Sequence, residues 1–291
     1  MWRERRVLGE PEIFVAWQES PEDRALLAIH GGPDWDHSYL RDPLSGLDCR
    51  LLLPDLRGCG RSGRVTEYHP DGVVEDLVRV LGAFDVERAD VLGHSYGGMV
   101  AQRFAITHPS RVRSLIVSGS SVLPVPPDAF EGWSERDEVL ARQEDPWQRE
   151  DLTPEECVRA EAFAAANANI WRAAAMPRYL RRLEEVRFGA EWMRQLRAGG
   201  LVSPRLPDAA QRIAERGIPV LLLHGRQDMT FPVSLVEPTL ELIPRARAVV
   251  VENAGHMLHV DEPEGYLRAV REFLDGAALE GGLELGSARP V

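Results

Sequence analysis

The chain contains short, continuous runs of apolar residues, each bounded by turn-forming residues such as Gly, Pro, Asp and Asn. Strands that are buried on both faces of a sheet have continuous apolar sequences, whereas strands with one solvated face alternate apolar and polar residues. The runs therefore predict buried parallel strands. Six such runs occupy residues 25–29, 50–53, 89–92, 114–117, 219–223 and 248–251.

Helical patterns with a period near 3.6 separate these runs. Strands that alternate with helices are typical of an α/β fold with a mostly parallel central sheet flanked by helices. Residues 6–18 are expected to add antiparallel strands at one edge. The main helical patterns occupy residues 72–82, 98–108 and 263–274.

Residues 122–208, hereafter the cap segment, interrupt this alternation. Prolines cluster at both ends, and Thr153-Pro-Glu-Glu156 has the sequence of a capping box with proline at the first helical position. We expect the helix that begins there to continue to about residue 175. The prediction is a helical cap inserted into an α/β core formed by residues 1–121 and 209–276, with a C-terminal tail at 277–291.

Composition and charge exclude several classes of function. The formal net charge of the 291 residues is -12, which disfavours binding to nucleic acid or to an anionic membrane. No apolar run approaches the roughly 20 residues of a membrane helix, and no signal peptide is evident. The three scattered cysteines, Cys49, Cys59 and Cys157, indicate reduced thiols in a cytoplasmic protein. No metal or cofactor is predicted, and the oligomeric state is left open.

Candidate chemistry begins at Gly93-His-Ser-Tyr-Gly97, which follows one predicted strand and precedes a helix. In this context G-x-S-x-G indicates a nucleophile elbow with Ser95 at its tip. Asp228 and His256 each follow a later predicted strand, so the chain order is Ser, Asp, His. Because the carboxyl ends of parallel strands meet at one edge of the sheet, we predict that Ser95, His256 and Asp228 form a catalytic triad.

A tetrahedral intermediate also requires backbone N–H donors for its oxyanion. Tyr96, which follows the nucleophile, is one predicted donor. The other is expected in the loop His30-Gly-Gly-Pro33; Pro33 has no N–H, so Gly32 is favoured over Gly31. His94 is expected to pack beneath the elbow, and Asp34, Asp36 and His37 to be solvated loop residues. We reject a metal site at His256 and His259 because a partner pattern is lacking.

With these motifs the chain resembles the α/β-hydrolases, and most closely the proline iminopeptidase family. The family's His-Gly-Gly-Pro-Gly loop is similar to His30-Gly-Gly-Pro-Asp34, and its Asp-Gln-Arg-Gly-x-Gly-Arg-Ser is similar to Asp55-Leu-Arg-Gly-Cys-Gly-Arg-Ser62. The sequence around the family's catalytic acid is similar to Gly225-Arg-Gln-Asp-Met229. The resemblance implies the same triad and a helical cap that sets specificity.

Two departures from the family pattern concern the substrate. The family recognises a free amino terminus with glutamates of the cap, but Trp171 stands where one of them is expected, and Asp34 replaces a glycine of the oxyanion loop. A buried cation needs a compensating charge. Trp171 is therefore a candidate pocket residue, and several glutamates are candidate replacements, although each alone is typical of a helix-surface charge: Glu155, Glu156, Glu161 and Glu191.

The leading hypothesis is a serine hydrolase that releases N-terminal residues from small peptides. The alternatives are a carboxylesterase or lactonase for small apolar acyl groups, a cofactor-free lyase or carbon–carbon hydrolase that keeps the same triad, and a non-catalytic binding protein on this fold. Ser95 at the elbow argues against epoxide hydrolases and dehalogenases, which normally have aspartate there.

Overall fold

A computed structural model describes residues 1–21 and 24–276. Eight strands within these residues form one sheet. The strands that were expected from continuous apolar runs are buried along most of their length, except the last one along the chain, in which only Val249 and Val251 are buried. The predicted limits differ from the observed ones by at most two residues. The strands are β1 (Arg3–Val7), β2 (Ile13–Gln18), β3 (Ala25–Ile29), β4 (Arg50–Pro54), β5 (Ala89–His94), β6 (Val112–Ser118), β7 (Val220–Gly225) and β8 (Ala246–Val251).

The sheet is mostly parallel, and its order is β1-β2-β4-β3-β5-β6-β7-β8. Strand β2 runs against its neighbours, because it pairs antiparallel with both β1 and β4. The remaining pairs are parallel. The predicted α/β fold is confirmed, including antiparallel pairing near one edge, although the N-terminal strand begins at Arg3 rather than at residue 6.

Helices cover both faces of the sheet. On one face α2, α3 and α9 pack over the sheet through residues such as Val73, Phe104 and Ile213. On the other, α1, α7, α11 and α12 contribute residues such as Leu44 and Tyr266. The helices are α1 (Arg41–Leu44), α2 (Pro70–Ala83), α3 (Tyr96–Thr107), α4 (Ser134–Ala141), α5 (Pro154–Ala164), α6 (Ala166–Asn169), α7 (Met176–Glu185), α8 (Glu191–Arg197), α9 (Ala209–Arg216), α10 (Val236–Leu242), α11 (Leu258–Asp261) and α12 (Pro263–Leu274).

Helices α4 to α8 lie in the cap segment, between β6 and β7 along the chain. The capping box of α5 is present: the N–H of Thr153 donates to Glu156 at 2.8 Å, and the N–H of Glu156 donates to the Thr153 hydroxyl at 3.2 Å. The expectation of one helix to residue 175 is wrong, because α5 ends at Ala164.

Helix α6 follows α5 after one residue, and helical backbone then ends at Asn169, where the chain bonds to the loop that carries His256 and to α11. The carbonyl of Asn169 accepts the N–H of Met257 at 2.9 Å. The N–H groups of Trp171 and Arg172 donate to the carboxylate of Asp261 at 3.0 and 2.9 Å. These tertiary bonds replace those of a continued helix, so long-range contacts override local propensity here.

The predicted tail, residues 277–291, lies outside the described residues. Among the helices of the described part of the chain, none combines the length and the apolar character that a transmembrane span requires.

Candidate active site

Ser95 occupies a sharp turn between β5 and α3. Its backbone angles are φ 55° and ψ −120°, a conformation that non-glycine residues rarely adopt and that carries strain. The turn is tight because the backbone of Gly97 passes directly against the carbonyl oxygens of Ile29 and His30, where a Cβ would overlap them. The half-buried Ser95 side chain is thereby presented at the carboxyl end of the sheet.

Ser95, His256 and Asp228 form a continuous hydrogen-bonded chain. His256 Nε2 lies 3.0 Å from Ser95 Oγ, and His256 Nδ1 lies 3.0 Å from Asp228 Oδ2. Asp228 follows β7 and His256 follows β8, as the strand pattern predicts. This is the geometry that nucleophilic catalysis requires of a serine, a base and a group that orients the base.

Asp228 is fixed in its charged form. Its Oδ1 accepts the N–H groups of Thr230 and Phe231 at 2.8 and 2.9 Å. Burial alone would raise the pKa of Asp228, but the adjacent His256 and these hydrogen bonds outweigh burial and hold the pKa below its usual value. A charged Asp228 favours the His256 tautomer that carries its proton on Nδ1 and leaves Nε2 free to accept.

The loop after β3 brings Gly32 to the pocket that contains Ser95. The φ of Gly32 is 119°, a value that suits only glycine. The N–H of the preceding Gly31 is already used, because it donates to the phenol of Tyr39 at 2.7 Å. Tyr96 begins α3 immediately after Ser95. The structure thus brings both predicted donor residues, Gly32 and Tyr96, beside the nucleophile.

His94 is buried beneath the elbow. Its Nε2 lies 3.3 Å from the backbone carbonyl of His256, and its Nδ1 lies 2.9 Å from the Tyr39 phenol. Burial, followed by the nearby His256, lowers the pKa of His94 to about 3. His94 is therefore neutral at physiological pH and supports the site from below, in agreement with the sequence-based interpretation.

The expectation that Asp34, Asp36 and His37 are solvated is wrong. All three side chains are buried, with at most 1% of their surface exposed. Two of them have partners that lie far away along the chain: His37 Nδ1 is 2.5 Å from Asp55, and Asp34 bonds to the cap segment. Asp36 is buried although its carboxylate bonds locally, to the N–H of Ser38 at 2.9 Å.

Asp36, His37 and Asp55 form a group that could be mistaken for a metal site, since one ligand atom from each lies within 4.8 Å of the others. Both ring nitrogens of His37 already have partners. Nδ1 bonds to Asp55, and Nε2 accepts from the guanidinium of Arg41 at 2.9 Å. That guanidinium would repel a cation, so the arrangement is an internal hydrogen-bond network.

A pocket of about 300 Å³ opens beside Ser95. The core supplies most of its walls, while the cap segment contributes from α5, the residue after it, and α6. The lining residues are Gly32, Trp35, Tyr39, His94, Ser95, Thr230, His256 and Met257 from the core, and Glu161, Ala165 and Asn169 from the cap segment.

Four of the five candidate substrate-binding residues, Trp171 and three of the glutamates, are not among the residues that line this pocket. Glu155 pairs with Arg194 at 2.7 Å, and Glu191 lies 3.2 Å from the same guanidinium. Glu156 is occupied by the capping box of α5. The backbone of Trp171 is fixed to Asp261. The structure therefore does not bring these four side chains to Ser95.

Glu161 is the carboxylate of the cap segment that lines the pocket. It lies on α5 and accepts a hydrogen bond from the indole N–H of Trp147 at 3.1 Å. The sequence offered Glu161 as one of four equivalent glutamates. What separates Glu161 from the other three glutamates is its place in the folded structure, where it lines the pocket of Ser95.

Comparison with known proteins agrees with this architecture. A family model described as "alpha/beta hydrolase fold" matches residues 24–263. The chain is 30% identical to 2-hydroxymuconate semialdehyde hydrolase of Pseudomonas sp. (strain CF600), over 87% of this chain and 89% of that one. It is 28% identical to proline iminopeptidase of Heyndrickxia coagulans, over 92% and 96%. Among solved structures, a proline iminopeptidase-related protein of Thermus thermophilus superposes with a TM-score of 0.70 at 25% identity, covering 94% of this chain and 98% of that one. The chain therefore belongs to the α/β-hydrolase fold family.

Proposed function

We propose that the chain is a serine hydrolase in which Ser95 is the nucleophile and His256 the general base. Ser95 Oγ attacks the substrate carbonyl while its proton passes to His256 Nε2. Asp228 holds the imidazole in the productive tautomer and stabilises the imidazolium. The two 3.0 Å contacts that join the three side chains support these roles.

The N–H groups of Gly32 and Tyr96 stabilise the oxyanion of the tetrahedral intermediate. Collapse of that intermediate transfers the proton from His256 to the leaving group and leaves an acyl group on Ser95. A water molecule, deprotonated by His256, then releases the acid. Each oxyanion donor of this type typically contributes about 10²–10³ in rate.

We further propose that the substrates are small peptides or aminoacyl compounds with a free amino terminus. The observation that carries this proposal is the position of Glu161, an exposed residue of α5 that lines the same pocket as Ser95. An ammonium group that leaves water needs a carboxylate partner, and Glu161 replaces the anchor that is absent at Trp171. The 28% identity with a proline iminopeptidase over nearly the whole chain favours the same assignment.

Hydrolysis of small apolar esters or lactones is the second candidate function. It is favoured by the apolar walls that Trp35, Ala165 and Met257 give the pocket. A third outcome, cleavage of a carbon–carbon bond beside a carbonyl, is suggested by the 30% identity with a 2-hydroxymuconate semialdehyde hydrolase. All three reactions share the triad and differ in what the pocket binds.

The deciding experiment compares prolyl and other aminoacyl p-nitroanilides, their N-acetyl derivatives and short-chain p-nitrophenyl esters, with Ser95→Ala as the blank. Ser95-dependent cleavage of unblocked anilides, lost on acetylation, is expected. Cleavage of esters alone would assign the esterase activity instead. A fluorophosphonate probe should label the wild type and not Ser95→Ala, and absence of labelling would identify a non-catalytic binding protein.

A cytoplasmic location also belongs to this proposal. Cys49, Cys59 and Cys157 all fall within the described residues, and each is a buried thiol that forms no disulfide, as a reducing compartment favours.

A further inference from the structure

Asp34 stands in the oxyanion loop in a conformation that normally selects glycine. Its φ is 71°, in the left-handed region where a Cβ is unfavourable. Glycine occupies the corresponding position in the iminopeptidase motif. An aspartate that tolerates this strain, and that is fully buried, is expected to make compensating contacts.

Those contacts reach into the cap segment. The carboxylate of Asp34 accepts the N–H of Trp192 at 3.1 Å and that of Met193 at 2.7 Å. Its backbone carbonyl accepts the N–H of Gly189 at 2.7 Å. Three backbone N–H groups at and just before the first turn of α8 are thus satisfied by one residue of the core.

The anchored helix in turn contacts the residue beside the nucleophile. Trp192 is fully buried, its indole N–H donates to the carbonyl of Arg57 at 2.9 Å, and its ring lies edge-on to that of Tyr96 at 5.9 Å between centroids. One end of α8 therefore connects Asp34 to Tyr96.

Asp34 is also tightly coupled to Gly32. The loop turns so sharply that a Cβ on Gly32 would lie 3.1 Å from the backbone nitrogen of Asp34 and 3.0 Å from that of Trp35. The Trp35 ring packs edge-on against Phe188 of the cap segment at 5.6 Å. Only Pro33 separates Asp34 from Gly32 in this turn, so we expect a displacement of Asp34 to be transmitted along the backbone to Gly32.

We propose that Asp34 is a positioning residue that fixes the oxyanion hole to the cap segment, because it ties α8 to the loop that carries Gly32 and holds Trp192 of α8 against Tyr96. The proposal rests on the proposed role of Gly32 and Tyr96 as oxyanion donors. It assigns to the cap segment a part in rate enhancement, in addition to any part in substrate selection.

The test uses Asp34→Asn and Asp34→Gly. Asparagine keeps the shape but turns an NH₂ donor toward a backbone N–H, whereas glycine removes both acceptors and suits the backbone angle. In both variants kcat, normalised to active sites, should fall about ten- to a hundredfold, because a displacement of the order of 1 Å in a donor costs this much. The KM of the ester or anilide that the wild type cleaves should change little.

The second readout is inhibition by n-butylboronic acid, whose adduct with a serine carries a negatively charged oxygen at the position of the oxyanion. Its inhibition constant should rise by about the same factor as kcat falls. A purely structural role would lower the fraction of active enzyme and leave both values per active site unchanged. Arg194→Gln is the matched control, because it removes the ion pairs that Arg194 makes with Glu155 of α5 and with Glu191 of α8 itself without touching Asp34.

Unchanged kcat and boronate affinity in both Asp34 variants would overturn the proposal, as would a rise in KM alone. Should Asp34→Asn fail to fold, Asp34→Gly decides, because glycine relieves the backbone strain. Failure of the proposed function has a different signature: the wild type itself would then lack Ser95-dependent turnover and labelling by the fluorophosphonate.

Discussion

The phenol of Tyr39 and the ring of His94 are joined by a hydrogen bond of 2.9 Å beneath the nucleophile elbow. The carbonyl of His256 can only accept, so the single proton of the neutral His94 ring lies on Nε2, which faces that carbonyl. His94 Nδ1 therefore accepts the Tyr39 O–H, while the Tyr39 oxygen accepts the N–H of Gly31. The oxyanion loop and the loop of the catalytic base are thus linked through one buried chain of hydrogen bonds.

Removal of the Tyr39 hydroxyl should destabilise the fold. In Tyr39→Phe the Gly31 N–H and His94 Nδ1 both lose their partner in a buried environment, and an unsatisfied buried polar group costs about 1–3 kcal/mol. The free energy of unfolding, measured by urea titration, is expected to fall by an amount in this range, and kcat should fall with it.

Tyr96→Phe is the matched control, because the Tyr96 hydroxyl is buried and has no hydrogen-bond partner within the described part of the chain. The same chemical change there should leave the free energy of unfolding unchanged or slightly higher. Equal losses in the two variants would mean that the bond between Tyr39 and His94 contributes nothing specific.

The stability of the protein should decrease on acidification below about pH 6.5. Burial lowers the pKa of His94 to about 3, and lowers the pKa values of His30 and His259 as well, whereas an unfolded histidine titrates near 6.5. Between these values the unfolded state binds protons that the native state does not, so the free energy of unfolding rises with pH, by up to about 1.4 kcal/mol per pH unit for each histidine.

Asp34 contributes to the pH dependence of the free energy of unfolding with the opposite sign. Burial raises its pKa to about 6, from an ordinary value of 3.8, so between these values the native state holds a proton that the unfolded state has lost. Asp34→Asn removes this opposing contribution and should make the loss of stability between pH 6 and 4 steeper than in the wild type. Urea titrations at half-unit intervals test both statements; a flat wild-type profile would contradict the first, and a shallower Asp34→Asn profile the second.

The carboxylate of Glu161 should distinguish a free amino terminus from a blocked one. In Glu161→Gln the KM for an unblocked prolyl anilide is expected to rise about ten- to a hundredfold, as an ammonium loses its charged partner, worth about 1.5–3 kcal/mol. The KM for a p-nitrophenyl ester should hardly change. Steady-state kinetics on the two substrates measure the difference.

Glu155→Gln serves as the control for this comparison. It neutralises a neighbouring glutamate of the same helix that pairs with Arg194 and does not line the pocket, so both KM values should match the wild type. If Glu161→Gln altered ester and anilide hydrolysis alike, Glu161 would be a structural residue of α5 rather than an ammonium anchor.

The sequence predicts the strands, the nucleophile elbow and the order of the triad, because each depends on a pattern of residues that are close together in the chain. Continuous apolar runs mark strands that are buried on both faces, and the run 25–29 coincides with β3. Ser95, Asp228 and His256 each follow the end of a strand, and a parallel sheet brings the carboxyl ends of its strands together at one edge. No distant partner has to be known for any of these inferences.

The predictions that failed depend on contacts between the cap segment and the core. Asp34 has the pattern of a solvated loop residue until α8 supplies its N–H donors. The helical pattern that was expected to run to residue 175 ends at Asn169, just before the backbone bonds to Asp261. Glu161 likewise has no local pattern that separates it from the other glutamates, because the sequence does not tell which face of α5 will meet Ser95. Such pairings join residues about 90 to 160 positions apart in the chain.

Two glycine substitutions should change stability in opposite directions. In Gly97→Ala the new Cβ would overlap the carbonyl oxygens of Ile29 and His30. These lie at the carboxyl end of β3, which is held between two neighbouring strands, so they cannot move away and a loss of about 1–3 kcal/mol or more is expected. In Gly82→Ala, on the exposed side of α2, no atom of residues 1–21 or 24–276 lies within 4 Å of the new Cβ, and the better helix propensity of alanine should add about 0.5–1 kcal/mol. Thermal or urea unfolding measures both, and a Gly97→Ala variant as stable as Gly82→Ala would show that the elbow is less tightly packed than the contacts of Gly97 indicate.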